Sequence, residues 1–126
     1  MKAITTDAAP AAIGTYSQAL AHGDTLYISG QIPLDPATGD MLTGNIREQI
    51  SQVFANLAAI ATAAGTDLRH ALKLNVYLTD LGNFAAVNEV MADIFKEPLP
   101  ARAAIQVSAL PKGAQVEVDA IVALSN

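Results

Sequence analysis

Two side chains of opposite charge sit in stretches that otherwise alternate like buried strands: Arg102, after Pro100-Ala101, and Glu117, between Val116 and Val118. A half-buried arginine offers a planar fork that binds a carboxylate through two hydrogen bonds. A carboxylate beside it can hold a water molecule or take a proton from it. The same two residues could equally form a structural ion pair, and composition alone leaves both readings open. Asn88 lies one helical turn after Phe84 in an apolar stripe, so it either bonds a local backbone group or points into a pocket. Ser29 and Tyr16, the latter within Ile13-Gly14-Thr15-Tyr16-Ser17-Gln18-Ala19, could add hydroxyl groups to the same place. Taken singly, each of these residue types is more often structural than functional.

Other chemistries lack residues. The chain has no cysteine, which removes disulfides, thiolate catalysis and Cys-ligated metals, and it has no Gly-x-Ser-x-Gly elbow, Walker loop or Gly-x-Gly-x-x-Gly turn. His22 falls in a turn and His70 at a strand entrance; both read as solvent-side residues, and two isolated histidines match no metal-ligand spacing.

The elements that must position these residues follow from periodicity. Thr25 to Ile32 alternates, with Leu26, Ile28, Gly30 and Ile32 on one side and Thr25, Tyr27, Ser29 and Gln31 on the other. A preceding strand around Ser17 to Ala21 joins it through the turn His22-Gly23-Asp24. Pro33 to Gly44 reads as a surface loop. A helix capped by Asn45 carries Ile46, Ile50, Val53, Phe54, Leu57, Ile60 and Ala64 at helical spacing, and Gly65 ends it. Leu72, Leu74, Val76 and Leu78 then alternate with Lys73, Asn75, Tyr77 and Thr79. A second helix starts at Asp80 or Asn83, with Phe84, Val87, Met91, Ile94 and Phe95 inward, and Pro98 and Pro100 stop it. Arg102 to Val107 and Gln115 to Leu124 complete the strands, with a short one at Lys2 to Thr5.

The pattern predicts one α+β domain over residues 1–126, with about six strands and two helices on one sheet face. Nothing in the chain is left to cover the other face, which is expected to carry Tyr27, Ser29, Tyr77, Arg102, Glu117, Asp119 and Ile121. That mixture is too apolar for a solvated surface and too polar for a core, so contact with another subunit around a shared cavity is expected. Composition points the same way, since the 126 residues are 52% hydrophobic and only 15% charged. Seven Lys and Arg against twelve Asp and Glu leave a net charge of −5, the wrong sign for binding phosphates, so no nucleic-acid partner is expected. No stretch reads as a signal peptide or a membrane span, and a cytoplasmic protein is the default expectation.

Six segments, in order, resemble the RidA family of reactive-intermediate (enamine/imine) deaminases, formerly described as L-PSP endoribonucleases. They are Ala9-Pro10-Ala11-Ala12-Ile13-Gly14, Tyr16-Ser17-Gln18-Ala19, Ser29-Gly30-Gln31-Ile32-Pro33, Asp80 through Phe84-Ala85-Ala86-Val87-Asn88, Pro100-Ala101-Arg102, and Leu110-Pro111-Lys112 leading to Val116-Glu117-Val118. The resemblance implies a chorismate-mutase-like mixed sheet whose last strand inserts beside the first long one, and a homotrimer with clefts between subunits. It implies hydrolysis of 2-aminoacrylate-type enamines and 2-imino acids to 2-keto acids and ammonia, with no metal or organic cofactor. Carried onto this chain, Arg102 clamps the substrate carboxylate and Glu117 holds or activates water. Tyr16, Ser29 and Asn88 line the cleft, and the backbone at Gly30 and Ala104 contacts the substrate. Three positions depart from the family pattern: Thr15 replaces a usual Pro, Ala103-Ala104 a common Ser-Cys, and Asp119 a frequent Glu. A non-catalytic ligand- or protein-binding trimer, and a protein that cleaves single-stranded RNA, stand as alternative readings.

Overall fold

The structure, a computed structural model, describes residues 1–125. Its strands are β1 (Lys2–Ile4), β2 (Ala19–His22), β3 (Thr25–Gln31), β4 (Ala71–Leu78), β5 (Ala101–Gln106) and β6 (Val116–Ala123); its helices are α1 (Ile46–Ala63) and α2 (Phe84–Ile94). They form a six-stranded sheet in the order β1-β2-β3-β6-β4-β5. Neighbours are antiparallel except β4 and β5, which run parallel and are connected through α2. β6 therefore inserts between β3 and β4 instead of pairing with β5, the mixed α+β arrangement that the family resemblance implies. No helix among the described residues is long and apolar enough to cross a membrane.

Local chemistry sets the helix ends. The Asn45 side chain accepts the Glu48 N–H at 3.0 Å, and just past α1 Gly65 takes φ +85°, a conformation that costs glycine little. Both candidate starts of the second helix are used. Asp80 caps a short turn at Leu81–Asn83 by accepting the Gly82 N–H, and α2 proper follows at Phe84.

The core lies between the sheet and the two helices. Leu26, Leu74, Leu78, Val116 and Val122 meet Ile50, Phe54, Leu57 and Ile60 of α1, with Val87 closing the layer from α2. Phe54 and Phe95 add an edge-to-face pair with ring centroids 6.0 Å apart. Buried amides bind loops to this core. Gln18 donates to the Thr6 and Pro10 carbonyls at 3.0 and 2.8 Å and accepts the Thr6 N–H at 2.7 Å, which fixes the segment leading to Tyr16. Asn56 donates to the Leu34 carbonyl at 3.0 Å and so holds the Pro33–Gly44 loop against α1.

Two bulges interrupt the period-2 pattern. Ile28 pairs with Ala120 and Gln31 with Val118, so Ser29 and Gly30 together span what Asp119 alone covers on β6. Gly30 consequently faces away from the core and Gln31 is buried, the reverse of the expected sides. On β4 the register shifts between Ala71 and Lys73, and the extra residue, Leu72, is 52% exposed instead of joining Leu74, Val76 and Leu78 inside.

Arg102 also lies on the face opposite to the expected one. Parallel pairing sets it beside Leu74, with Ala104 beside Val76, so Arg102 and Ala104 lie on the helix-covered face. The uncovered face holds Tyr27, Ser29, Tyr77, Glu117, Asp119 and Ile121 as expected, together with Leu20 and Ile105, but not Arg102. Tyr27 and Ile105 there are each about half exposed.

Two substitutions separate this register from an uninterrupted one. Leu57→Ala, at a site with no exposed surface, should cost about 2–5 kcal/mol in denaturant unfolding, whereas Leu72→Ala should stay within about 0.5 kcal/mol. A multi-kcal/mol loss at Leu72 would contradict the bulge.

Candidate functional site

α2 builds one half of the site. Phe84, Asn88 and Met91 stand at positions i, i+4 and i+7, on one helical face that looks onto the edge strand β5. Arg102 reaches across to them. Its Nη1 donates to Asn88 Oδ1 at 2.6 Å and lies 3.5 Å from Met91 Sδ, and the guanidinium carbon sits 4.8 Å from the centre of the Phe84 ring. Ring stacking at such an exposed position contributes about 0.5–1 kcal/mol, small for stability but enough to restrict the rotamers of a long side chain. Both polar contacts use Nη1, and Nε and Nη2 donate to no group among the described residues, so they remain as donors for a planar anion.

β6 and the β3 bulge build the other half. Glu117 is half-buried on the face away from the helices, opposite Tyr77 of β4. Its carboxyl lies against the backbone of Gly30, where a Cβ would come within 2.9 Å of Glu117 Cδ, so residue 30 must lack a side chain for Glu117 to lie there. Burial first, and the charge of Asp119 second, raise the proton affinity of Glu117 above the usual carboxylate range. Asp119 is itself held by Asn75 Nδ2 at 2.8 Å and by the Tyr77 hydroxyl at 3.2 Å. Burial, followed by the neighbouring carboxylates, pushes the Tyr77 phenol up, which keeps it a donor.

Around Glu117 opens a recess of about 370 Å³, walled by Tyr16, Gly30, Ile13, Ile32 and Leu34 and by Pro111-Lys112 of the turn before β6. Lys112 takes φ +56°, and with Gly113 at φ +70° it folds that turn over the recess.

The expected residues therefore fall into two groups. Tyr16, Gly30 and Glu117 come together, as do Asn88 and Arg102, but within one chain the groups occupy opposite faces of the sheet. Arg102 and Glu117 do not form a salt bridge. Ser29 is spent structurally: its hydroxyl donates to the Ser17 carbonyl at 2.6 Å and its N–H to Gln18 at 2.9 Å, tying the Tyr16 segment to β3. Ala104 is half-buried against the core, two residues along the Arg102 face. Phe84 and Met91 were assigned to the core by periodicity, yet they hold the arginine. Their spacing from Asn88 was the available signal. Among the described residues no group of three or more His, Asp and Glu side chains is placed to hold a metal ion.

Residues 6–124 match the family model described as Endoribonuclease L-PSP. A RutC family protein, y4sK of Sinorhizobium fredii, is 53% identical over 122 residues, covering 97% of each chain. The rat protein named 2-iminobutanoate/2-iminopropanoate deaminase is 48% identical over 120 residues, 95% of this chain and 88% of the rat protein. Among solved structures, RidA from the Antarctic bacterium Psychrobacter sp. superposes with a TM-score of 0.93 at 52% identity, covering 98% of this chain and 99% of that one. Sequence and backbone agree over nearly the whole length, and the chain belongs to the RidA family, the family of the Endoribonuclease L-PSP model.

Proposed function

We propose that this chain is a 2-iminobutanoate/2-iminopropanoate deaminase, hydrolysing enamine and 2-imino acid intermediates to 2-keto acids and ammonia in the cytoplasm. The observation that carries the reading is an arginine fork held ready by Asn88 and Phe84, paired in the same chain with a half-buried carboxylate of raised proton affinity. The deaminase name of the rat relative supports it. Because Arg102 and Glu117 lie on opposite sheet faces, no single copy brings them to one small molecule. The working unit is a homotrimer of this 1–126 domain, in which each cleft takes Arg102 and Asn88 from one copy and Glu117, Tyr16 and Gly30 from its neighbour. The uncovered face, with Leu20, Tyr27 and Ile105 beside the Asn75–Asp119–Tyr77 cluster, supplies the contact.

The chemistry is short. Arg102 binds the substrate carboxylate bidentately, and an enamine first takes a proton at C3 to become the iminium. Water held by Glu117 adds to C2 and gives one proton to the Glu117 carboxylate, forming a neutral carbinolamine. Glu117 returns that proton to the nitrogen, the C2–N bond breaks to release ammonia, and the hydroxyl gives its proton to solvent as the carbonyl forms. An imine carbon is already electrophilic, so positioning and one proton-transfer group suffice. The alternative of RNA cleavage is disfavoured by the net charge of −5.

The direct assay couples the protein to a dehydratase acting on serine or threonine and follows trapping of the intermediate by semicarbazide. The protein should shorten the intermediate's lifetime and Arg102→Ala should abolish the effect; an unchanged lifetime, where a known deaminase works, would refute the reading. Ligand binding without turnover would favour the non-catalytic trimer. Gly30→Ala should lower kcat/KM about 100-fold or more through displacement of Glu117, with the fold preserved by circular dichroism.

The pH dependence has a defined sign. Glu117 must be ionised to accept the water proton, and burial and Asp119 both favour its protonated form, so activity should fall with decreasing pH already above the ordinary glutamate range. Asp119→Asn removes the second cause and should move the acid limb of kcat/KM to lower pH, leaving the contribution of burial. An acid limb that does not move on this substitution would rule out the coupling.

A further inference from the structure

Beside Arg102, on the side of α2, lies a recess of about 390 Å³ that the reaction as described does not use. Asn88 and Arg102 form one part of its wall; Met91, Ala92, Phe95 and Leu99 form the rest with Pro100. Phe95 is buried and makes the floor, whereas Leu99 is 59% exposed at the rim. The guanidinium is the one charged group among the lining residues, so this is an apolar hollow with a cation at one end. The neighbouring charges of the connection to β5, Lys96 and Glu97, belong to a different depression with Arg69 and His70.

We propose that this hollow is the subsite for the substrate side chain, and that the chain prefers 2-imino acids bearing unbranched or branched apolar side chains of three or four carbons over those with short or charged ones. The inference rests on the deaminase reading, because it places the substrate carboxylate on Arg102. From that anchor the hollow offers the rest of the molecule an apolar wall on the α2 side, and its lining holds no second cation. A volume of about 390 Å³ lies within the range of small-molecule pockets and exceeds what the methyl group of 2-iminopropanoate fills. Each methylene moved from water into such a hollow contributes about 0.8 kcal/mol, which is about fourfold in affinity. The aliphatic lining is permissive toward shape, Met91 most of all, so the preference is for apolar bulk and not for one particular outline. A second carboxylate would lose its hydration there without gaining a second cation.

The test uses the stable 2-keto acid products as probes. Equilibrium binding to the intact protein is measured for pyruvate, 2-oxobutanoate, 2-oxopentanoate, 4-methyl-2-oxopentanoate and 2-oxoglutarate, with turnover of the imines of the same series followed in parallel. Affinity should rise about fourfold per methylene up to 2-oxopentanoate, and 2-oxoglutarate should bind at least tenfold more weakly than 2-oxopentanoate. Ala92→Leu, at an exposed helix position, fills the hollow and should bring the ratio of 4-methyl-2-oxopentanoate to pyruvate affinity close to one. A flat or falling series in a protein that does turn over 2-iminopropanoate overturns the subsite and leaves the deaminase reading intact. A rising series without turnover keeps the subsite and removes the deaminase. An Ala92→Leu ratio equal to that of the unaltered protein also overturns the subsite, and if that variant does not fold, the series in the unaltered chain decides alone.

Discussion

A β-sheet has two faces, and the pairing register decides which residues can ever meet on one of them. Here the parallel alignment of β5 on β4 puts Arg102 beside Leu74, under α2, while the antiparallel alignment of β6 puts Glu117 beside Tyr77 on the far face. No rotamer can undo this, because side-chain direction alternates rigidly along a strand. The cation and the carboxylate are thus presented to two different surroundings. One copy does not bring them together, and it is the proposed reaction that calls for a second copy.

Each half is made stiff by its neighbours. Arg102 is a long, flexible side chain on an edge strand, and it acquires one orientation only because Phe84, Asn88 and Met91 share a helical face at the right height. Glu117 lies where the β3 bulge brings the bare backbone of Gly30 against it. The bulge exacts a break in the ladder and returns a close approach that regular pleating does not permit. Gln18 and Ser29, with no evident part in the chemistry, hold the Tyr16 segment beside that approach.

The uncovered face combines Leu20, Tyr27 and Ile105 with a hydrogen-bonded cluster of Asn75, Tyr77 and Asp119. Because Asp119 is two residues from Glu117 on the same face, the cluster also sets the electrostatic surroundings of the catalytic candidate. A frequent family glutamate is here an aspartate, and its shorter arm still reaches both donors. Of the replaced Ser-Cys pair, Ala104 packs toward the core and Ala103 lies on the uncovered face.

Element types and most of their ends were legible in the chain itself, since Asn45, Gly65, Asp80 and the alternation around Val76 and Val118 act over a few residues and carry their reasons with them. The candidate pair, Arg102 and Glu117, stood out in the chain as opposite charges within alternating strands, with Phe84 and Asn88 one turn apart as a further sign. Only the tertiary structure decided the sides. Leu72, Gly30 and Gln31 are misplaced by a uniform two-residue period because a single inserted residue in a bulge reverses direction, and nothing in a strand's own composition marks where its partner will be one residue short. The face of Arg102 depended likewise on the register of β5 against β4, a contact between segments about 28 residues apart, which short-range periodicity does not encode.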